Sequence, residues 1–190
     1  MKSFLTVLAT LVALAMPAAA WEMGDDGLHK ESWLHVTFKD MTEDLAAANA
    51  DGKRLAIIFE QRGCIYCRKM HEEVFIDPNI RTMLEQDYFV VQMNLFGDEE
   101  VTDFDGKTLT EKAMARRWGV VFTPTILFMP EAAQDADTAA QAAVMVMPGA
   151  FGKSTTLDML TWVLDKGYDS EEHFQKYHAR MIEDRAAKSN

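Results

Sequence analysis

The chain of 190 residues carries two cysteines, Cys64 and Cys67, three positions apart in "GCIYC". Such a pair admits three chemistries: a structural bridge, half of a metal site, or a redox-active dithiol. A bridge over so short a loop gains only about 2 kcal/mol from chain entropy, against roughly 3 for a 15-residue loop. A closed zinc site needs four ligands. His71 stands one helical turn beyond Cys67, but there is no third cysteine, and His173 and His178 are five apart and fall on different helix faces. His71 is therefore read as a helix-surface or packing residue, and the site is read as metal-free. Arg68 follows Cys67 where covalent haem attachment would require His. The dithiol reading draws on position. At the start of a helix, unpaired N–H groups and the macrodipole would stabilise a Cys64 thiolate, and Cys67, nearly one turn on, could attack a mixed disulfide formed there. Arg62 and Arg68 would add positive potential unless they are solvated surface charges.

The pair needs a strand that hands over to a helix, and the sequence supplies one. "RLAIIF", Arg54 to Phe59, is a short continuous apolar run of the kind buried on both faces of a sheet. The cysteines follow, then a helical "RKMHEEVF", which Pro78 interrupts before "NIRTML" resumes it. Upstream, Asp40 to Glu43 has capping-box spacing, Leu45 to Ala50 propagates a helix, and Gly52 stops it. Residues 21–39 read as an arm ending in a short strand, "WLHVTF". Downstream come a strand "YFVVQMNL", a short helix "EKAMARRWG", a strand "FTPTILFM" with Pro124 at its entrance, an Ala-rich loop from Pro130 to Ala142, and a strand "AVMVMPG". Leu157, Leu160 and Leu164 mark a helix face that Gly167 ends, and Phe174, Tyr177 and Met181 mark a last helix. Strands alternating with helices predict an α/β sheet layered by helices.

The opening "MKSFLTVLATLVALAMPAAA" has a positive start, a short apolar run and a small-residue cleavage site, so residues 1–20 read as a signal peptide and the protein as periplasmic. Outside the reducing cytosol a dithiol can persist as a disulfide. The formal charge of −11 argues against a nucleic-acid partner. The segment "FGDEEVTDFDGKTLT" reads as a solvated hairpin turning at Asp105-Gly106. It fails as a calcium loop, because Val101 and Lys112 fall where oxygen ligands are required. Met145 and Met147 read as core filling.

"RLAIIFEQRGCIYCRKM" together with "MARRWGVVFTPTILF" resembles the thioredoxin family over residues 40–167, and the finer pattern of "FEQRGCIYCRKMH" and "DGKTLTEKAMARRWGV" is similar to exported members of the SoxW type. The resemblance implies a thioredoxin fold over residues 40–190: a central mixed sheet flanked by helices, with an acidic hairpin insertion and an extra C-terminal helix. It implies catalytic Cys64 and Cys67 and a cis-proline loop, Thr123-Pro124, facing them, with Ile65 and Tyr66 shaping the substrate surface. It implies no dissociable cofactor, protein disulfides as substrates, a membrane electron donor and a monomer. The family often carries an acidic residue six positions before the first cysteine, where Ile58 stands here. Glu60, on the same strand face, either substitutes in proton transfer or points to solvent. The function implied is that of an exported thiol:disulfide oxidoreductase that reduces disulfides of extracytoplasmic partner proteins; a dithiol oxidase, an isomerase or a non-catalytic metal- or protein-binding module are the competing functions.

Overall fold

The structure, a computed structural model, describes residues 22–133 and 135–188. The signal-peptide reading falls on residues 1–20 and lies outside them. In chain order the elements are β1 (Glu22–Met23), β2 (His29–Lys30), β3 (Leu34–His35), α1 (Met41–Ala50), β4 (Arg54–Glu60) and α2 (Ile65–Lys69), which continues as π-helical turns over Met70–Val74. Then follow α3 (Pro78–Gln86), β5 (Tyr88–Asn94), β6 (Glu100–Thr102), β7 (Thr108–Thr110), α4 (Glu111–Arg117), β8 (Thr125–Phe128), α5 (Ala139–Ala142), β9 (Met145–Pro148), α6 (Lys153–Leu164) and α7 (Phe174–Lys188). Among the described residues no helix is long and apolar enough to cross a membrane.

The main sheet runs β3-β5-β4-β8-β9, with β4 parallel to β5 and antiparallel to β8. All seven residues of β4 are buried, as a central strand covered on both faces requires. Alternation divides them. Ala56 and Ile58 face a core built with Met70, Val74, Ile80, Leu84, Met159 and Leu160, whereas Leu55, Ile57 and Phe59 face a second core built with Met41, Leu45, Met114 and Trp118. Two helical layers therefore sandwich the sheet. Local chemistry fixes the helix starts: the Asp40 carboxylate accepts from the Thr42 and Glu43 amides, and Asp77 caps α3, which Pro78 opens at the position where its missing N–H costs nothing.

Several expectations need correction. The strand read in "WLHVTF" is only Leu34–His35, pairing in parallel with Val90 and Val91 at the sheet edge. The Ala-rich loop contains α5, capped by Thr138. Helix α6 buries Thr156, Met159, Leu160 and Val163 more deeply than Leu157 and Leu164, and the left-handed residue that ends it is Lys166, not Gly167.

The acidic segment is a hairpin, β6 against β7, with Gly106 at φ +78° in the turn, but it is not simply solvated. Asp103 is buried and accepts from the Trp118 indole N–H at 2.7 Å and the Ala139 amide at 2.9 Å, while Arg117 grips Asp105 with two hydrogen bonds. Lys39 bridges Glu99 and Glu111. Asp103 thus ties the hairpin to α4 and α5. Asp103→Ala is expected to lower unfolding free energy by about 3 kcal/mol, since it leaves buried donors unpaired. Equilibrium urea denaturation would measure it, and a loss below about 1 kcal/mol would mean that water replaces the carboxylate.

Candidate active site

Strand β4 ends at Glu60, and the turn Gln61–Gly63, with Gly63 at φ +72°, delivers Cys64 to the N-cap of α2. Cys64 and Cys67 are joined in a disulfide. Their environments differ. Cys64 is 9% exposed and Cys67 is fully buried. The Cys67 amide donates to Cys64 Sγ at 3.0 Å, and the Thr123 hydroxyl donates to the same sulfur at 3.2 Å. Both donors would strengthen their bonds to a thiolate, because hydrogen bonds to an ionised acceptor are roughly twice as strong as neutral ones. The sulfur best placed to carry negative charge is therefore also the one nearer solvent.

Thr123 comes from the loop before β8, where the Thr123–Pro124 peptide is cis and the Thr125 hydroxyl bonds the Phe122 carbonyl at 2.9 Å. The structure thus brings Thr123 against Cys64 across 59 residues of sequence. Ile65 and Tyr66 are well exposed beside the sulfur, as are Val121 and Phe122 on the approach to Thr123. Four apolar side chains left in water around a nearly covered sulfur form a surface suited to a partner's chain. Val121 and Phe122 were not singled out in the sequence, where they read as part of a strand entrance.

Glu60 does not point to solvent. It continues the Ala56–Ile58 face of β4 beneath the helix and is 1% exposed. His71 Nε2 donates to its Oε1 at 2.8 Å, Gln92 donates to Oε2 at 2.6 Å, and His29 Nδ1 lies 3.4 Å from Oε2. Burial alone would raise its pKa, but the hydrogen bonds from His29 and His71 and their charge outweigh burial and hold it at about 2. His71 is likewise no surface residue. It is fully buried, and its Nδ1 meets Glu31 at 3.2 Å. Burial disfavours its charge, yet the bonds to Glu31 and Glu60 prevail and its pKa is raised. Between two carboxylates the doubly protonated, charged form of the imidazole is favoured, because each ring N–H then has an acceptor.

The His29 ring stacks on His71 with centroids 4.1 Å apart and planes within 13°. Donor atoms of His29, Glu60 and His71 lie within 4.8 Å of one another, a set that by residue type could ligate a metal. Nearly parallel rings, however, direct their in-plane lone pairs side by side rather than to one point. In this arrangement the cluster is built to hold a proton. His29 and Glu31 were missed because the arm shows no periodicity, and the available signal was the density of His and Glu in an otherwise Trp- and Leu-bearing segment.

The profile of the thioredoxin-like domain family matches residues 41–142, more than half of the chain. The chain belongs to this family. No curated protein matches it significantly. Among solved structures it is similar to a thioredoxin-fold protein from Helicobacter pylori, with 17% identity, a TM-score of 0.52, and coverage of 74% of this chain and 86% of that one. It is also similar to a thioredoxin from Thermus thermophilus, with 24% identity, a TM-score of 0.52, and coverage of 70% and 95%. At these identities the likeness shows the fold alone. This thioredoxin-like protein has the α/β fold with a central mixed sheet flanked by helices, including a C-terminal one, and its Cys64–Cys67 pair is consistent with a thiol:disulfide oxidoreductase.

Proposed function

We propose that the protein is an exported reductase of protein disulfides, of the SoxW type, working in the periplasm as a monomer and recharged by a membrane dithiol donor. The observation that carries the redox reading is the unequal pair: Cys64 Sγ receives two hydrogen bonds at the surface, and Cys67 is sealed behind it. The Cys64 thiolate attacks one sulfur of a partner disulfide, a mixed disulfide forms, and the expelled partner thiolate takes up a proton. Cys67 then loses its proton and attacks Cys64 Sγ, releasing the second partner thiol. Two electrons pass from the cysteine pair to the partner, and the donor dithiol restores them.

Proton exchange by Glu60, one of the two roles the sequence left open, runs in this proposal through His71. A carboxyl group that titrates at about 2 stays ionised at neutral pH, whereas the imidazolium it holds, four residues beyond Cys67, carries an exchangeable proton. Thr123, Pro124, Ile65 and Tyr66 form the surface that receives the partner chain.

The reductive direction rests on the SoxW-type pattern and on Thr before Pro124. It predicts an equilibrium reduction potential for the pair nearer −270 mV than −120 mV, values typical of thioredoxin and of a strong oxidase, which about 30 mV per tenfold separates by roughly five powers of ten. Titration against a glutathione or dithiothreitol buffer measures it. A potential at the oxidising end, with the pair fully oxidised in cells, would make the protein a dithiol oxidase instead.

A further inference from the structure

The N-terminal segment does more than extend the sheet. β1 and β2 form a hairpin whose tip is fastened to the cysteine loop: Arg62 donates to the Asp25 carbonyl at 2.6 Å, and a side chain at Gly27, which has φ +76°, would collide with Arg62 at 2.8 Å. Its base is fastened by His29, stacked on His71, and just beyond it Glu31 meets the same ring. Held at both ends, the hairpin stands beside Cys64. Between it and the start of α2 lies a hollow of about 160 Å³ lined by Met23, Gly27, His29, Cys64, Ile65 and Arg68, with the Gly63 backbone.

The size and lining of the hollow narrow what it can hold. Pockets for drug-sized ligands run to roughly 300–1,000 Å³, so this one takes a single side chain. Met23 and Ile65 supply apolar walls, and Arg68 supplies a permanently charged group. Among the described residues no carboxylate lines it, in a chain with a formal charge of −11. In the hairpin, the Asp26 carboxylate is paired with Lys30.

We propose that this hollow is a substrate subsite that receives an acidic side chain flanking the partner's reactive cysteine, its stem against Met23 and Ile65 and its carboxylate toward Arg68. The subsite rests on the reductase reading, because it needs a partner sulfur at Cys64. It gives the N-terminal hairpin a role in choosing substrates.

The test is a single-turnover reaction of the pre-reduced protein with three synthetic peptide disulfides that differ only in the residue beside cysteine: Glu, Gln or Lys. Bis(2-hydroxyethyl) disulfide serves as a neutral substrate too small to fill the subsite. The wild type is expected to react with the Glu peptide about tenfold faster than with the Lys peptide, the equivalent of roughly 1.4 kcal/mol. Arg68→Gln should bring that ratio near one whatever it does to the absolute rates. Met23→Trp, which fills the hollow, should slow the Glu peptide severalfold more than it slows bis(2-hydroxyethyl) disulfide. A wild-type ratio near one, a ratio retained in Arg68→Gln, or equal slowing of all substrates by Met23→Trp overturns the subsite. Failure of the reduced protein to react with any disulfide overturns the reductase reading itself.

Discussion

Isolated from its own cell after acid quenching, the Cys67→Ser protein is expected to carry partner proteins bound covalently through Cys64, and Cys64→Ser to carry none. The expectation follows from the burial of the two sulfurs. Cys64 sits at the helix cap with a path to solvent and two donors aimed at it, so attack on a partner disulfide survives loss of its neighbour. Cys67 is fully buried and bonded to Cys64, so its loss removes resolution and leaves the mixed disulfide standing. Turnover of a protein disulfide should fall to background in both variants, for opposite reasons. Non-reducing electrophoresis and mass spectrometry of the captured species distinguish them. Equal absence of adducts in wild type and both variants would count against a redox enzyme and favour a binding module.

The second large effect is on stability and concerns Glu60. Its pKa is about 2 in the fold against an ordinary value of 4.5, so the folded carboxylate is favoured by about 3 kcal/mol. A lowered pKa gives stability that is complete above about 4.5 and is lost as pH falls toward 2. His71 works in the other sense. Its raised pKa gives stability that is complete below its ordinary 6.5 and is lost as pH rises through the higher folded value. The groups that set this balance are Glu31 and His29 from the N-terminal segment, Glu60 from β4, Gln92 from β5, and Arg81 from α3, which reaches Glu31 at 3.8 Å. The network is therefore strongest between about pH 4.5 and 6.5. Glu60→Gln should cost about 3 kcal/mol at pH 6, the low end of the range for breaking a buried ion pair, and should flatten the fall in stability between pH 5 and 2. Denaturant titrations across that range measure both. Parallel pH profiles for wild type and variant would show that Glu60 does not carry the ion pair assigned to it.

That network also marks where reading the chain gave out. Capping residues, apolar runs and glycine stops are local: Asp40 at α1, Pro78 opening α3 and the seven buried residues of β4 act on neighbours within a turn or along one strand. Their elements could be read directly, and so could the cysteine spacing with its strand-to-helix setting. Residues 22–39 were opaque for the opposite reason. Their strands are two residues long and draw stability from remote partners: β3 from β5, His29 and Glu31 from His71, and the hairpin tip from Arg62. Asp103 misled in the same way, because an aspartate in an acidic run looks solvated until Trp118 and Ala139 are seen to bond it.

The sequence by itself determined the chemistry available: one cysteine pair at a helix start, a Thr-Pro at a strand entrance, and helices and strands in an order that forms a layered α/β sheet. Tertiary structure decided which groups that pair would meet. Only folding closes the 59-position separation of Cys64 and Thr123, turns the Glu60 face of β4 under His71, and stands the N-terminal hairpin beside the sulfur. Side-chain type and local spacing are properties of the chain, whereas burial, charge balance and approach to an atom depend on contacts between residues far apart in it.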